Sequence, residues 1–376
     1  MTLPSEPIVD RRRLLAGGFA LAAAPLAPVA ESTARPVRAA AGTLRLPLKL
    51  SGNENPWGPG PAARAAIAAT LGESCRYGLP QLRALTEAIA RHEGVERERV
   101  VIGSGSGELL QLLALGWCER GEVVCAWPTF SQLMAYAERF GAMIRKLPLD
   151  AEMRHDLPAL LATTGPNTSL LYLCNPNNPT GTAVPGEALR AACLEAATRT
   201  LVVIDEAYLD LADPARTASM LPLVRDDANV VVLRTFSKIH GLAGLRVGYA
   251  LTRPDIAQRL RRYQTTLPNT LGLAAATASL GDADCLARTR AALLADRARF
   301  CAVCDELGLR YAAPEGNFVF VRVGMPVETF AERMRAQQIE VGRPFEPYAD
   351  WCRISIGTTA ETDYLIDALR RVMRRS

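Results

Sequence analysis

The chain reads as an α/β protein with a mostly parallel sheet covered on both faces by helices, followed by a smaller α+β C-terminal domain. Three observations predict this. From about residue 100 to 250, short apolar runs alternate with turns and amphipathic helical stretches, the pattern of a buried sheet with crossover helices. Past Pro268 the rhythm changes to a long helical stretch followed by two strands and a last helix. The length, 376 residues, holds a large core and two domains.

Taken in order, the N-terminus opens with Asp10-Arg11-Arg12-Arg13-Leu14-Leu15 and an alanine-rich apolar stretch to Ala30. A charged region followed by an apolar one is an export-signal pattern, and the arginine cluster resembles a twin-arginine signal. Gly17, Gly18 and Pro25 interrupt the run and make it a poor membrane span. We therefore expect residues 1–41 to be a signal and leader and the mature protein to be exported, with a cytoplasmic location as the alternative. Residues 42–71 are expected to form an arm that packs with the small domain, residues 72–270 the large domain and residues 271–376 the small one. Helical periodicity covers residues 62–71 and 82–92. Strands are expected at 100–102, 123–126, 170–174, 201–204 and 230–233. A helical region at 274–307 breaks at Gly281, then come strands at 317–323 and 351–356 and a helix at 360–373.

The chemistry-bearing segments fall at the ends of these strands, where open α/β sheets place their ligands. Gly103-Ser104-Gly105-Ser106-Gly107-Glu108 follows the first strand and opens a helix over 109–117, which suits an anion. Cys174-Asn175-Pro176-Asn177-Asn178-Pro179-Thr180-Gly181 follows another strand; it is either a proline-rich turn or a place where Asn178 offers an amide to a phenolate oxygen. Asp205 ends a strand with Tyr208 three residues on. Such a carboxylate is often a helix N-cap, but against a pyridine nitrogen it would hold that nitrogen protonated. In Arg234-Thr235-Phe236-Ser237-Lys238, one lysine sits among hydroxyls, with glycines and Arg246 downstream. A phosphate ester and a Schiff-base lysine are what pyridoxal 5'-phosphate (PLP) requires together.

In this order the motifs resemble the fold-type I PLP-dependent aminotransferases of class I/II, over essentially the whole chain from Leu48 on. The narrower likeness is to the histidinol-phosphate aminotransferase branch. It rests on Asn53-Glu54-Asn55-Pro56, Asn177-Asn178-Pro179-Thr180-Gly181, Ile204-Asp205-Glu206-Ala207-Tyr208, Thr235-Phe236-Ser237-Lys238 and Arg353-Ile354-Ser355-Ile356-Gly357-Thr358. The resemblance implies that Lys238 forms the Schiff base and moves protons. Asp205 would pair with the pyridine nitrogen, Asn178 and Tyr208 would bond O3′, and Phe130 would stack on the ring. Gly105, Ser106, Gly107, Thr235, Ser237 and Arg246 would hold the phosphate. Tyr77 would reach the phosphate of a neighbouring subunit, implying a homodimer with shared sites. Arg353 would clamp the substrate carboxylate as a guanidinium fork, assisted by Asn317, with Arg343 and Trp57 near the distal substrate group. Two features depart from the branch: Gly342 precedes Arg343, and Trp57 stands where a smaller aromatic ring is usual.

The implied reaction is a ping-pong transfer of an amino group between an amino acid and a keto acid. A PLP-dependent decarboxylase or cyclase shares most of these residues and stays open, as does a non-catalytic PLP-binding module. A net charge of +4 with no dense basic tract argues against nucleic acid as partner. The nine cysteines lie mostly in apolar runs and read as small buried hydrophobes. Cys301 and Cys304 form a C-x-x-C within a helical stretch, with no second pair to make a metal site.

Overall fold

The computed structural model describes residues 44–119 and 121–374. The signal and leader assigned to residues 1–41, twin arginines included, lie outside the described residues.

The strands are β1 (Leu48–Lys49), β2 (Val100–Gly103), β3 (Glu122–Trp127), β4 (Met143–Pro148), β5 (Thr168–Cys174), β6 (Leu201–Asp205), β7 (Val230–Thr235), β8 (Gly248–Thr252), β9 (Phe318–Arg322), β10 (Ile339–Glu340) and β11 (Trp351–Ser355). The central sheet has seven strands in the order β2-β8-β7-β6-β5-β3-β4. Neighbours pair in parallel except that β8 runs antiparallel to both β7 and β2. All but β8 therefore point the same way, and their C-terminal ends share one edge.

Period-two alternation divides the sheet's side chains between two cores. Val202, Ile204, Val230 and Val232 join one apolar cluster, whereas Leu201, Val203, Val231 and Leu233 join the other. Both faces are covered by helices, which is why these strands read as continuous apolar runs. Helix α1 (Pro61–Thr70) and α2 (Leu79–Glu93) pack with α9 (Thr270–Leu280) on one side. On the other, α3 (Ser106–Trp117) packs with α4 (Gln132–Arg139) and α8 (Pro254–Tyr263). Helices α5 (Leu157–Thr163), α6 (Gly186–Ala197) and α7 (Leu221–Arg225) complete the crossovers.

A further apolar cluster joins Leu48 and Leu50 of the arm to β9, β11, α10 (Ala283–Glu306), α11 (Val327–Ala336) and α12 (Thr359–Met373). β1 pairs in parallel with β10, placing Leu48 opposite Ile339, and β9 pairs antiparallel with β11. The N-terminal arm is thus stitched to the end of the chain by backbone hydrogen bonds. The helix at 274–307 does break at Gly281, with Asp282 capping α10 through the amide of Cys285.

Four strands carry too little pattern to be found from sequence. β4 lies at the sheet's edge with mostly exposed or half-exposed residues, so it lacks an apolar run. β1 and β10 are two residues long and exist only because they meet each other. β8 follows closely on the loop after β7 and pairs with it as an antiparallel neighbour. The strand expected to begin at Asn317 begins at Phe318, which frees Asn317 for other bonds.

Candidate active site

A cavity of about 420 Å³ opens at the carboxyl edge of the central sheet. Its walls include Ser106, Gly107, Phe130, Asn178, Asp205, Tyr208, Thr235, Ser237, Lys238, Arg246 and Arg353, so strands far apart in sequence deliver their terminal residues to one place.

At one end lies an anion cradle. Gly105 has φ +82°, a backbone that glycine adopts freely. The Arg246 guanidinium lies so close that a side chain at Gly105 would collide with it. Helix α3 starts at Ser106, and its N-terminal amides contribute partial positive charge. Arg246 Nη1 donates to Ser237 Oγ at 3.3 Å, and the Ser237 amide donates to Thr235 Oγ1 at 3.1 Å. Arg246 itself is left-handed (φ 53°), a conformation that costs a non-glycine residue on the order of 1–3 kcal/mol.

At the other end is a buried carboxylate. Asp205 is 2% exposed; it accepts from the Tyr172 hydroxyl at 3.0 Å and from the Ala207 amide at 3.1 Å. Burial raises its pKa above the ordinary carboxylate range, while the Tyr172 and Ala207 bonds and the Lys238 charge pull it back. Asp205 caps no helix and lines the cavity.

Lys238 lies between these ends. Its Nζ donates to the Asn53 carbonyl at 3.1 Å and sits 5.2 Å from the centre of the Tyr208 ring. Tyr208 is buried, and its hydroxyl accepts from Asn53 Nδ2 at 3.0 Å, which leaves the phenolic proton available as a donor. Asn178 Oδ1 accepts from Arg353 Nη1 at 2.6 Å; because a guanidinium can only donate, the Asn178 amino group is turned to be the free donor. Both groups expected to bond a phenolate oxygen therefore have a proton to give.

Arg353 comes from β11, and its Nη2 donates to the Ser51 carbonyl at 2.7 Å. Its Nε is buried with no partner. Burial lowers its pKa, the Tyr208 phenol works against that, and the Arg343 charge adds to it. Asn317 Nδ2 donates to the carbonyls of Asn53 and Glu54, both at 3.0 Å, and so braces the arm behind the cavity. Its Oδ1 is buried and without a partner.

Three of the residues singled out from sequence stand apart from the cavity. Arg343 lies with its guanidinium over Phe345, 4.3 Å from the ring centre, and donates to the Pro344 carbonyl. It reaches the site only through its neighbour Arg353, which lies 5.2 Å from the same ring. Trp57 lines a separate cavity of about 350 Å³ with Arg64 and Arg288. Tyr77 is 87% exposed and does not line its own chain's cavity.

Conversely, Gln132 and Ala243, and Asn53 and Cys174 from two of the motifs, line the cavity although the sequence reading gives none of them a role. Asn53 is the most consequential. Its amide donates to Ser355 Oγ at 2.9 Å, Ser355 donates back to its Oδ1 at 3.0 Å, and its side chain also holds Tyr208. It is left-handed (φ 52°), which asparagine tolerates better than most residues.

The cavity's chemistry matches PLP: cationic and hydroxyl donors for a phosphate at one end, a buried carboxylate for a ring nitrogen at the other, and one lysine between them. The described residues contain no helix long and apolar enough to cross a membrane and no His/Cys/Asp/Glu cluster suited to a metal ion. Both Cys301 and Cys304 are free thiols on α10, with pKa values pushed up by burial to about 11 and about 12, so neither is an activated thiol.

The fold and cavity together define an aminotransferase. The sequence profile of aminotransferase class I and II matches residues 47–369, and the chain belongs to that family. It is a PLP-dependent enzyme that moves amino groups. Among its relatives, a histidinol-phosphate aminotransferase from Moorella thermoacetica is 37% identical, over 87% of this chain and 85% of the relative. An aromatic amino acid aminotransferase from Thermobifida fusca is 38% identical, over 91% and 95%. Of the solved structures, histidinol-phosphate aminotransferase from Sinorhizobium meliloti, in complex with pyridoxal-5'-phosphate, superposes with a TM-score of 0.83 at 31% identity, covering 88% of this chain and 92% of that one.

Proposed function

We propose that this aminotransferase takes an amino donor with a planar ring in its side chain, of the imidazole or aromatic kind, and returns the amino group to a keto acid. Two relatives of nearly equal identity, named for histidinol phosphate and for aromatic amino acids, support this range. The carrying observation is that Lys238 and Arg353 line the same cavity.

PLP, when bound, supplies the electron sink that stabilises charge at the substrate's α-carbon. The chain supplies the rest. Lys238 Nζ would hold the cofactor covalently, and its free amine would take up and return the proton at the substrate's α-carbon. Asp205 would keep a proton on the ring nitrogen. The free protons of Asn178 and Tyr208 would be donated to the ring oxygen, and the Arg246 cradle would hold the phosphate. Arg353 orients the anionic group of the substrate bidentately. Its bond to Asn178 ties substrate position to cofactor position.

The test is a half-reaction screen: the purified holoenzyme is mixed with single amines and the conversion of cofactor to its aminated form is followed by absorbance. Conversion is expected with histidinol phosphate or with phenylalanine, tyrosine or tryptophan. Conversion only with small aliphatic donors would overturn the substrate class while leaving the aminotransferase assignment intact.

The active unit in this reading is a homodimer. Tyr77 is solvent-facing, with Leu71 and Leu79 exposed nearby in the chain, and in a two-fold pair it would complete the partner's phosphate cradle. A monomeric mass for active enzyme in light scattering would refute this. The division into arm (42–71), large domain (72–270) and small domain (271–376) belongs to the same proposal. Export is proposed through the twin-arginine leader; loss of periplasmic protein when Arg11 and Arg12 become lysine is the expected result.

A further inference from the structure

We propose that Tyr172 is a positioning residue for Asp205, holding that carboxylate ionised and oriented so that it keeps the cofactor's ring nitrogen protonated. The proposal rests on the PLP site described above and adds a residue that is not on the cavity wall.

The geometry follows from sheet register. Tyr172 on β5 stands opposite Val203 on β6, and Cys174 stands opposite Asp205. Tyr172 and Asp205 are therefore diagonal neighbours two residues apart in register, on one face of the sheet, a spacing that a long side chain spans. The Tyr172 ring is fully buried in the apolar cluster with Leu170, Val203 and Val231. Its hydroxyl reaches Asp205 Oδ2 at 3.0 Å. Oδ1 accepts from the Ala207 amide at 3.1 Å. Each carboxylate oxygen thus has one donor, and Tyr172 is the side-chain donor.

A carboxylate so buried is pushed toward its neutral form unless donors satisfy it. A neutral Asp205 could not stabilise a protonated ring nitrogen. The phenol suits the task because it stays protonated: burial, reinforced by the adjacent Asp205 charge, raises its pKa well above the ordinary value. The other titratable groups nearby are Cys174, whose thiol burial also keeps neutral, and Lys238, whose charge lies within the same cavity. The Cys174 thiol donates to the Pro176 carbonyl and Lys238 to the Asn53 carbonyl, so neither competes with Tyr172 for the carboxylate. Replacing the hydroxyl by hydrogen keeps the ring's packing and removes this one bond.

The experiment uses Tyr172→Phe and Asp205→Asn, singly and together, reconstituted with PLP labelled with ¹⁵N in the ring. In wild type the ring-nitrogen resonance should report a protonated nitrogen. In Tyr172→Phe it should move toward the unprotonated position and become pH-dependent within the range where wild type is constant. The kcat should fall roughly tenfold to a hundredfold, the effect of a lost hydrogen bond to a charged group, with little change in KM. In the Asp205→Asn background the same substitution should add almost nothing. A wild-type-like resonance in Tyr172→Phe would overturn the proposal, as would an undiminished effect in the double variant. Should Tyr172→Phe fold poorly, an unshifted resonance in Tyr172→Leu, which also lacks a donor, would overturn it equally. Failure of the wild-type protein to bind PLP would instead refute the site itself.

Discussion

The cofactor half and the substrate half of the cavity are built in different ways. The cofactor half is delivered by neighbouring strand ends: Asp205 ends β6, Thr235 ends β7, and Lys238 follows three residues later. Each group sits in a short contiguous motif on a rigid parallel sheet. The substrate half is assembled from distant segments. Asn53 on the arm meets Ser355 after a separation of 302 residues, and Asn317 reaches the arm's backbone from a third segment. Two bonds join the halves directly through side chains, Arg353 to Asn178 and Asn53 to Tyr208. The groups proposed to hold the cofactor are therefore fixed by local order, whereas those proposed to hold the substrate depend on how the ends of the chain come together.

Removing Lys238 should break the cofactor half most completely. Lys238→Ala should lower turnover by more than about 10³-fold and abolish the borohydride-trapped covalent adduct seen by mass spectrometry. A trapped adduct on another lysine would assign the role elsewhere. Arg353→Lys should strike the other half. Loss of the bidentate fork is expected to lower kcat/KM for carboxylate-bearing substrates roughly 10- to 100-fold, while PLP affinity measured by equilibrium dialysis stays unchanged. A matched loss of PLP affinity would show that the halves are not separable.

Asn53→Ala tests the joint between arm and cavity. It removes the bonds to Tyr208 and Ser355, so a drop of several-fold in kcat together with a lower melting temperature is expected, about 1–3 kcal/mol for buried partners left unpaired. Unchanged stability would mean that β1 and β10 hold the arm without it.

Asp205 gives a smaller effect with a definite sign. Its carboxyl pKa is raised in the folded protein, so its contribution to stability is present below the unfolded pKa and is lost as pH rises through the folded one. Cofactor-free Asp205→Asn should match wild type in acid and melt a few degrees higher near neutrality, measured by calorimetry. A variant less stable than wild type at neutral pH would contradict the desolvation argument. The smallest effect concerns α10: iodoacetamide at pH 8 should leave Cys301 and Cys304 unmodified while labelling exposed Cys75, as peptide mapping would reveal.

The cofactor groups were legible because each is a residue type with few alternative uses, placed at the end of an apolar run. Phe130, Asn178, Asp205, Tyr208 and Lys238 all line the cavity. Arg343 and Trp57 were legible only as motif positions: Arg343 stacks on Phe345, and Trp57 lines a neighbouring cavity. Tyr172 was not legible as a functional group, and Asn53 was legible only as part of the Asn53-Glu54-Asn55-Pro56 motif, without a role. Tyr172 looks like any aromatic in a buried strand, and nothing near Asn53 in sequence announces its partners.

By itself, then, the sequence determined the α/β architecture, the cofactor and the family chemistry, because apolar periodicity and strand-end motifs act over a few residues. Tertiary structure alone decided the reversed β8, the pairing of β1 with β10, the turning of Asn178 by Arg353, and the diagonal reach of Tyr172 to Asp205. The reason is physical. A hydrogen bond between segments hundreds of residues apart leaves no local pattern, and its partners become neighbours only when burial of the apolar faces brings the ends of the chain together.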